Sequence, residues 1–108
     1  MSNNKYKILI VEDDRGIANF VQTVLDANGY QVLMADRCGQ GILVFASHVP
    51  DLVILDLGLP DMDGEEFIRQ IRSISAAPIV VLSARTFIIF KIFQTLDVHR
   101  HRLIESLA

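Results

Sequence analysis

The chain has 108 residues, of which 51% are hydrophobic, and a formal net charge of −3 at pH 7. That length suits one small domain, and that apolar content favours a packed globule over disorder. The mildly acidic balance, with no Lys/Arg face or basic run in the first 85 residues, gives no electrostatic ground for nucleic-acid binding, and the single cysteine, Cys38, excludes an internal disulfide.

Lys7 to Val11 is a β-rich apolar run that stops on Glu12-Asp13-Asp14. Residues 15–28 then set Ile17, Phe20, Val21, Val24 and Leu25 at helical spacing, with Asp14 as the N-cap and Asn28-Gly29 as the stop. Residues 30–35 read as a second strand. Residues 39–47 read as a short helix carrying Ile42, Leu43, Phe45 and Ala46, with Cys38 as an ordinary loop or helix-start thiol. Pro50-Asp51 breaks the chain before a third apolar run, Leu52-Val53-Ile54-Leu55, which ends abruptly on Asp56 and passes into a turn-rich loop reaching Gly64. Residues 64–73 offer Phe67, Ile68 and Ile71 as one buried face, and residues 78–83 supply a fourth strand that ends on Ser83.

Strands without polar alternation are buried on both faces, as in a parallel sheet covered by helices on each side. The expected fold is therefore α/β, a doubly wound parallel sheet, for which the flavodoxin-like strand order is 2-1-3-4. Ligands of such sheets gather at the carboxyl ends of the strands. There Glu12 or Asp13, Asp56 and the Ser83 hydroxyl converge if that order holds. A lone carboxylate at a strand end commonly caps the next helix, but acidic ends brought together from two neighbouring strands repel one another and call for a hard cation with oxygen ligands. Magnesium, with few protein ligands and open positions for phosphoryl oxygens, suits phosphoryl transfer.

These residues resemble the receiver domains of two-component response regulators, with Glu12-Asp13 as the acidic pair, Asp56 as the phosphoacceptor and Ser83 as the switch hydroxyl. The stretch from Leu55 to Gly64, with Pro78 to Arg85, is similar to the OmpR/PhoB class. The resemblance implies a CheY-like fold, with Asp13 and Asp56 ligating Mg2+ through their side chains, Gly58 through its carbonyl and Glu12 through water. It further implies a sensor histidine kinase as phosphodonor, a conformational switch controlling a transcriptional output, and no enzyme turnover beyond slow self-dephosphorylation.

The end of the chain departs from that pattern. Receivers carry a lysine followed by proline at the end of a fifth strand. Here the prolines are Pro50, Pro60 and Pro78, and the only lysine beyond residue 7 is Lys91, eight positions past Ser83. Residues 86–108 hold three of the six Phe residues, place Ile89, Ile92, Phe93 and Leu96 at helical spacing, and show a fifth strand only indistinctly or not at all. Residues 1–108 thus read as one receiver domain, with a family-like core over 1–85 and a divergent tail over 86–108. An altered reading frame or deletion competes with a genuine variant as the source of that tail. An uncovered strand edge beside an apolar tail leads us to expect a homodimer or a strand-exchanged oligomer.

A rival reading keeps the acidic pocket but makes the chain a phosphorylation-impaired interaction or dimerisation module. Two other functions fit poorly. In Asp61-Met62-Asp63-Gly64 the first carboxylate does not end a strand, as a haloacid-dehalogenase-like nucleophile must, and Glu12-Asp13-Asp14 would repel a flavin phosphate. No apolar run is long enough to span a bilayer, and the polar start Met1 to Lys5 lacks a secretory core, so a cytoplasmic protein without a membrane partner is expected. No winged-helix effector is legible, so direct nucleic-acid binding by this chain is not expected.

Overall fold

The computed structural model describes residues 6–82. Within them four strands alternate with three helices: β1 (Lys7–Val11), α1 (Arg15–Ala27), β2 (Gln31–Ala35), α2 (Cys38–His48), β3 (Leu52–Asp56), α3 (Gly64–Arg72) and β4 (Ile79–Leu82). The strands form one parallel sheet in the order β2-β1-β3-β4, as expected from the sequence. The expectation of an indistinct fifth strand concerns residues outside the described range.

Continuous apolar runs suit β1 and β3 to the centre of the sheet, because successive residues face opposite helical layers. Ile8, Ile10, Leu52 and Ile54 pack with Val21 and Leu25 of α1. Their neighbours Leu9, Val11, Val53 and Leu55 pack on the opposite face with Phe45 of α2 and with Phe67 and Ile71 of α3. Each such fully buried side chain contributes roughly 1.5–3 kcal/mol relative to exposure.

The helix ends follow local chemistry. Asp14 Oδ1 accepts from the Ile17 N–H at 3.0 Å and starts α1. At its other end Gly29, with φ of 88°, lets the Gly29 and Tyr30 N–H groups donate back to the Asp26 and Leu25 carbonyls, a Schellman closure. The α1 face is narrower than its periodicity implied, and the apolar residues of α2 divide between core and surface. Phe20 is 57% exposed and Leu43 69% exposed. At about 100° per residue, Phe20 sits a quarter turn or more from Val21 at the rim of the α1 stripe, and Leu43 points nearly opposite Phe45. Ala46 is exposed too. Between these helices and the sheet the approach is close at Gly41, where an added Cβ would lie 3.0 Å from Val11 Cγ2 and 3.2 Å from Phe67 Cε2.

Candidate metal centre

β1 and β3 lie side by side in parallel with Val11 level with Leu55, so the next residues, Glu12 and Asp56, leave the sheet at the same height. Each chain segment is carried there by a strand that is buried over its last four residues. Glu12 and Asp56 are buried and Asp13 is exposed. One carboxylate oxygen from each of Glu12, Asp13 and Asp56 can be chosen so that all lie within 4.8 Å of one another. Like charges at such separations repel, most where Glu12 and Asp56 are withdrawn from water and less at Asp13, which solvent screens.

Local bonds orient two of these side chains. Glu12 Oε2 accepts from the Asp14 N–H at 3.2 Å, and the Glu12 N–H donates to the Ala35 carbonyl at 3.0 Å. The Gly58 N–H points to Asp56 Oδ1 at 3.4 Å, which brings the start of the following loop against the rim. A Cβ at Gly58 would lie 3.8 Å from Asp56 Oδ2, an ordinary contact distance that places this backbone directly beside the carboxylate. Beside the carboxylates, a cavity of about 220 Å³ between α1 and the β2–α2 connection is lined by Glu12, Asp13, Arg15, Asn19, Asp36 and Gln40.

The donor set is all oxygen and anionic, which fits a hard divalent cation. Oxygens bound directly to Mg2+ at 2.0–2.1 Å stand about 3 Å apart when adjacent and about 4.2 Å when opposite. A 4.8 Å spread therefore closes on such an ion by small side-chain rotations or with one carboxylate held through water. Glu12, Asp13, Asp56 and Gly58 are thus assembled at one edge. Ser83 lies outside the described residues.

Family comparison agrees with this geometry. The model of the response regulator receiver domain matches residues 8–104. This chain belongs to the response regulator receiver domain family. It is a signalling module and not a catalytic enzyme module. Receiver relatives of the OmpR/PhoB class stand close to it: the KDP operon transcriptional regulatory protein KdpE of Escherichia coli (strain K12) is 52% identical over 79 residues, covering 73% of this chain and 35% of that protein. The chain therefore spans about a third of the length of that curated relative. Among solved structures, the N-terminal domain of a response regulator receiver protein from Methanoculleus marisnigri JR1 is 32% identical with a TM-score of 0.68, covering 73% of this chain and 67% of that one. A putative response regulator from Chloroflexus aurantiacus J-10-fl is 30% identical with a TM-score of 0.71, covering 82% and 75% of the two chains.

The receiver loop between β3 and α3 holds a residue whose role sequence reasoning missed. Asp61 Oδ1 accepts from the Cys38 N–H at 3.0 Å and Oδ2 from the Gly39 N–H at 2.9 Å, so it caps α2 from 23 positions beyond the start of that helix. Arg37, the residue in the N-cap position, makes no side-chain cap bond. Asp63 caps α3, accepting from the Glu65 N–H at 3.1 Å. Both aspartates of the Asp61-Met62-Asp63-Gly64 stretch are therefore helix caps. Cys38 is buried at the first position of α2, and burial, aided by Asp61 and Asp56, pushes its thiol up to about 11. Among the described residues no helix is long and apolar enough to cross a membrane.

Proposed function

We propose that Asp56 is the phosphoacceptor of this receiver and that its donor is a phosphohistidine on a sensor histidine kinase. The observation that carries this reading is the convergence of Glu12, Asp13 and Asp56 oxygens at the carboxyl edge of the parallel sheet. An Asp56 oxygen attacks phosphorus, the N–P bond to the donor imidazole breaks with its electron pair returning to that ring, and an acyl phosphate forms. Asp13 and Asp56 would hold Mg2+ through carboxylate oxygens and Gly58 through its carbonyl, with Glu12 acting through water. When bound, the cation supplies neutralisation of the charge on the transferring phosphoryl group. Ser83 is the switch hydroxyl that meets the new phosphoryl oxygen, biasing a two-state equilibrium that controls a transcriptional output.

In this reading residues 1–108 are one receiver domain working in the cytoplasm. The apolar residues of 86–108, with no fifth strand legible in their sequence, support a homodimer or strand-exchanged oligomer. The absence of a Lys-Pro pair after Ser83 favours a second reading, a phosphorylation-impaired module that binds partners or dimerises without switching.

Incubation with Mg2+ and acetyl phosphate, read by intact mass, separates the two. A phosphoryl adduct that requires Mg2+ and disappears in Asp56→Asn is expected. Its absence from the unaltered chain would leave the interaction module standing alone.

A further inference from the structure

Residues 57–63 connect the proposed phosphoacceptor to α3, and their course is pinned at three places. Asp56 anchors the start at the end of β3, Leu59 is buried in the cluster that also holds Cys38 and Val11, and Asp61 reaches α2 with both carboxylate oxygens. Gly58 lies between the first two anchors. The N-terminus of α2 has no cap from its own N-cap side chain, so Asp61 is what satisfies the first two N–H groups of that helix. A change in the loop at Asp56 must either carry Asp61 with it or strain these two bonds. Conversely, a firmly held α2 end narrows the range of shapes open to Gly58.

We propose that Asp61 is a positioning residue for cation binding: its paired bonds to Cys38 and Gly39 hold the loop in the shape that presents Gly58 and Asp56 to Mg2+, and couple occupancy of that rim to the first turn of α2. This rests on the Asp56 reading above. Coupling of this kind is reciprocal, so Mg2+ steadies the α2 end as much as the α2 end favours Mg2+. Cys38 reports it, because alkylation of a buried thiol at the first helical position requires that turn to open.

Two measurements test the proposal on the whole chain. With acetyl phosphate, the Mg2+ concentration giving half-maximal Asp56 adduct rate rises about fivefold in Asp61→Ala, while the rate at saturating Mg2+ changes little. Asp61→Asn, which keeps one acceptor oxygen, falls between the two. Iodoacetamide labelling of Cys38 is slowed by Mg2+ in the unaltered chain and indifferent to it in Asp61→Ala. Asp63→Ala removes a cap from α3 without touching Cys38 or Gly39, so it lowers stability yet retains the Mg2+ effect on Cys38. Should Asp61→Ala not fold, the Asp61→Asn comparison carries the same readouts. Equal Mg2+ dependence across the Asp61 variants, or Mg2+ protection of Cys38 that survives them, overturns the coupling and leaves the phosphoacceptor reading intact. No adduct at any Mg2+ concentration in the unaltered chain overturns both.

Discussion

Asp61 and Asp14 do the same job with different reach. Asp14 caps the helix that begins beside it, so a short polar side chain before an apolar-periodic segment announces it. Asp61 caps a helix that begins 23 positions earlier in the chain, and no local pattern contains that information. The Gly39 N–H is the largest influence holding the Asp61 carboxyl below its ordinary value; desolvation opposes it, and the Cys38 N–H, Asp61's own N–H and the Arg37 charge add to the lowering. A carboxyl with a depressed folded-state pKa contributes stability that is fully present above the unfolded value, about 3.9, and is lost as pH falls through the folded one. The stability advantage of the unaltered chain over Asp61→Asn, measured by urea unfolding, is therefore expected to hold at pH 7 and to shrink below about pH 4. At neutral pH, Asp61→Ala is expected to cost about 1 kcal/mol, the usual loss for a removed cap. A gap independent of pH would show that the carboxylate charge is not what α2 requires.

At the scale of elements, α2 is where packing decides what pattern leaves open. Its apolar residues are spread around the helix, so their pattern marks no single buried face, and the docked surface runs through Cys38, Gly41 and Phe45. Gly41 is the point of closest approach. Gly41→Ala sets a methyl against Val11 and Phe67 at 3.0 and 3.2 Å, and we expect a loss of about 1–3 kcal/mol in chemical unfolding, as for other overpacked cores. The far end of α2 offers a contrast. Val49 follows the helix with φ of 47°, a left-handed conformation that a β-branched residue adopts only at a cost, and its side chain is largely exposed. Val49→Gly is expected to stabilise the chain by roughly 1 kcal/mol, read as a rise of several degrees in Tm. An unchanged or lower Tm would show that the chain is already relaxed there. On α3 the exposed Glu66–Arg69 pair, 2.6 Å apart, adds little, because solvent screens it.

Across the whole molecule, the fold brings like charges together at one edge of the sheet. Carboxylate oxygens of Glu12, Asp13 and Asp56 lie within 4.8 Å of one another, and a cation that bound only the folded state would relieve their repulsion and stabilise the domain. At a free Mg2+ concentration tenfold above the dissociation constant, stability should rise by about 1.4 kcal/mol, and Tm by roughly 5–10 °C for a domain of this size. Thermal melts in Mg2+ and in EDTA check this, with Asp13→Asn expected to blunt the shift; identical melts would remove the metal site from the account. The alternation of strands and helices, the buried character of β1 and β3 and the acids at their ends could be read directly from the chain, because a strand covered on both faces must be apolar until it reaches solvent. Residue patterns also sufficed for the caps and stops that lie next to their helices. Only the tertiary structure decided the register of β1 against β3, which sets Glu12 level with Asp56 and turns separate acidic ends into one cluster, and that Asp61 closes α2. Those facts depend on contacts between segments tens of residues apart, and their energies arise only when the chain is folded.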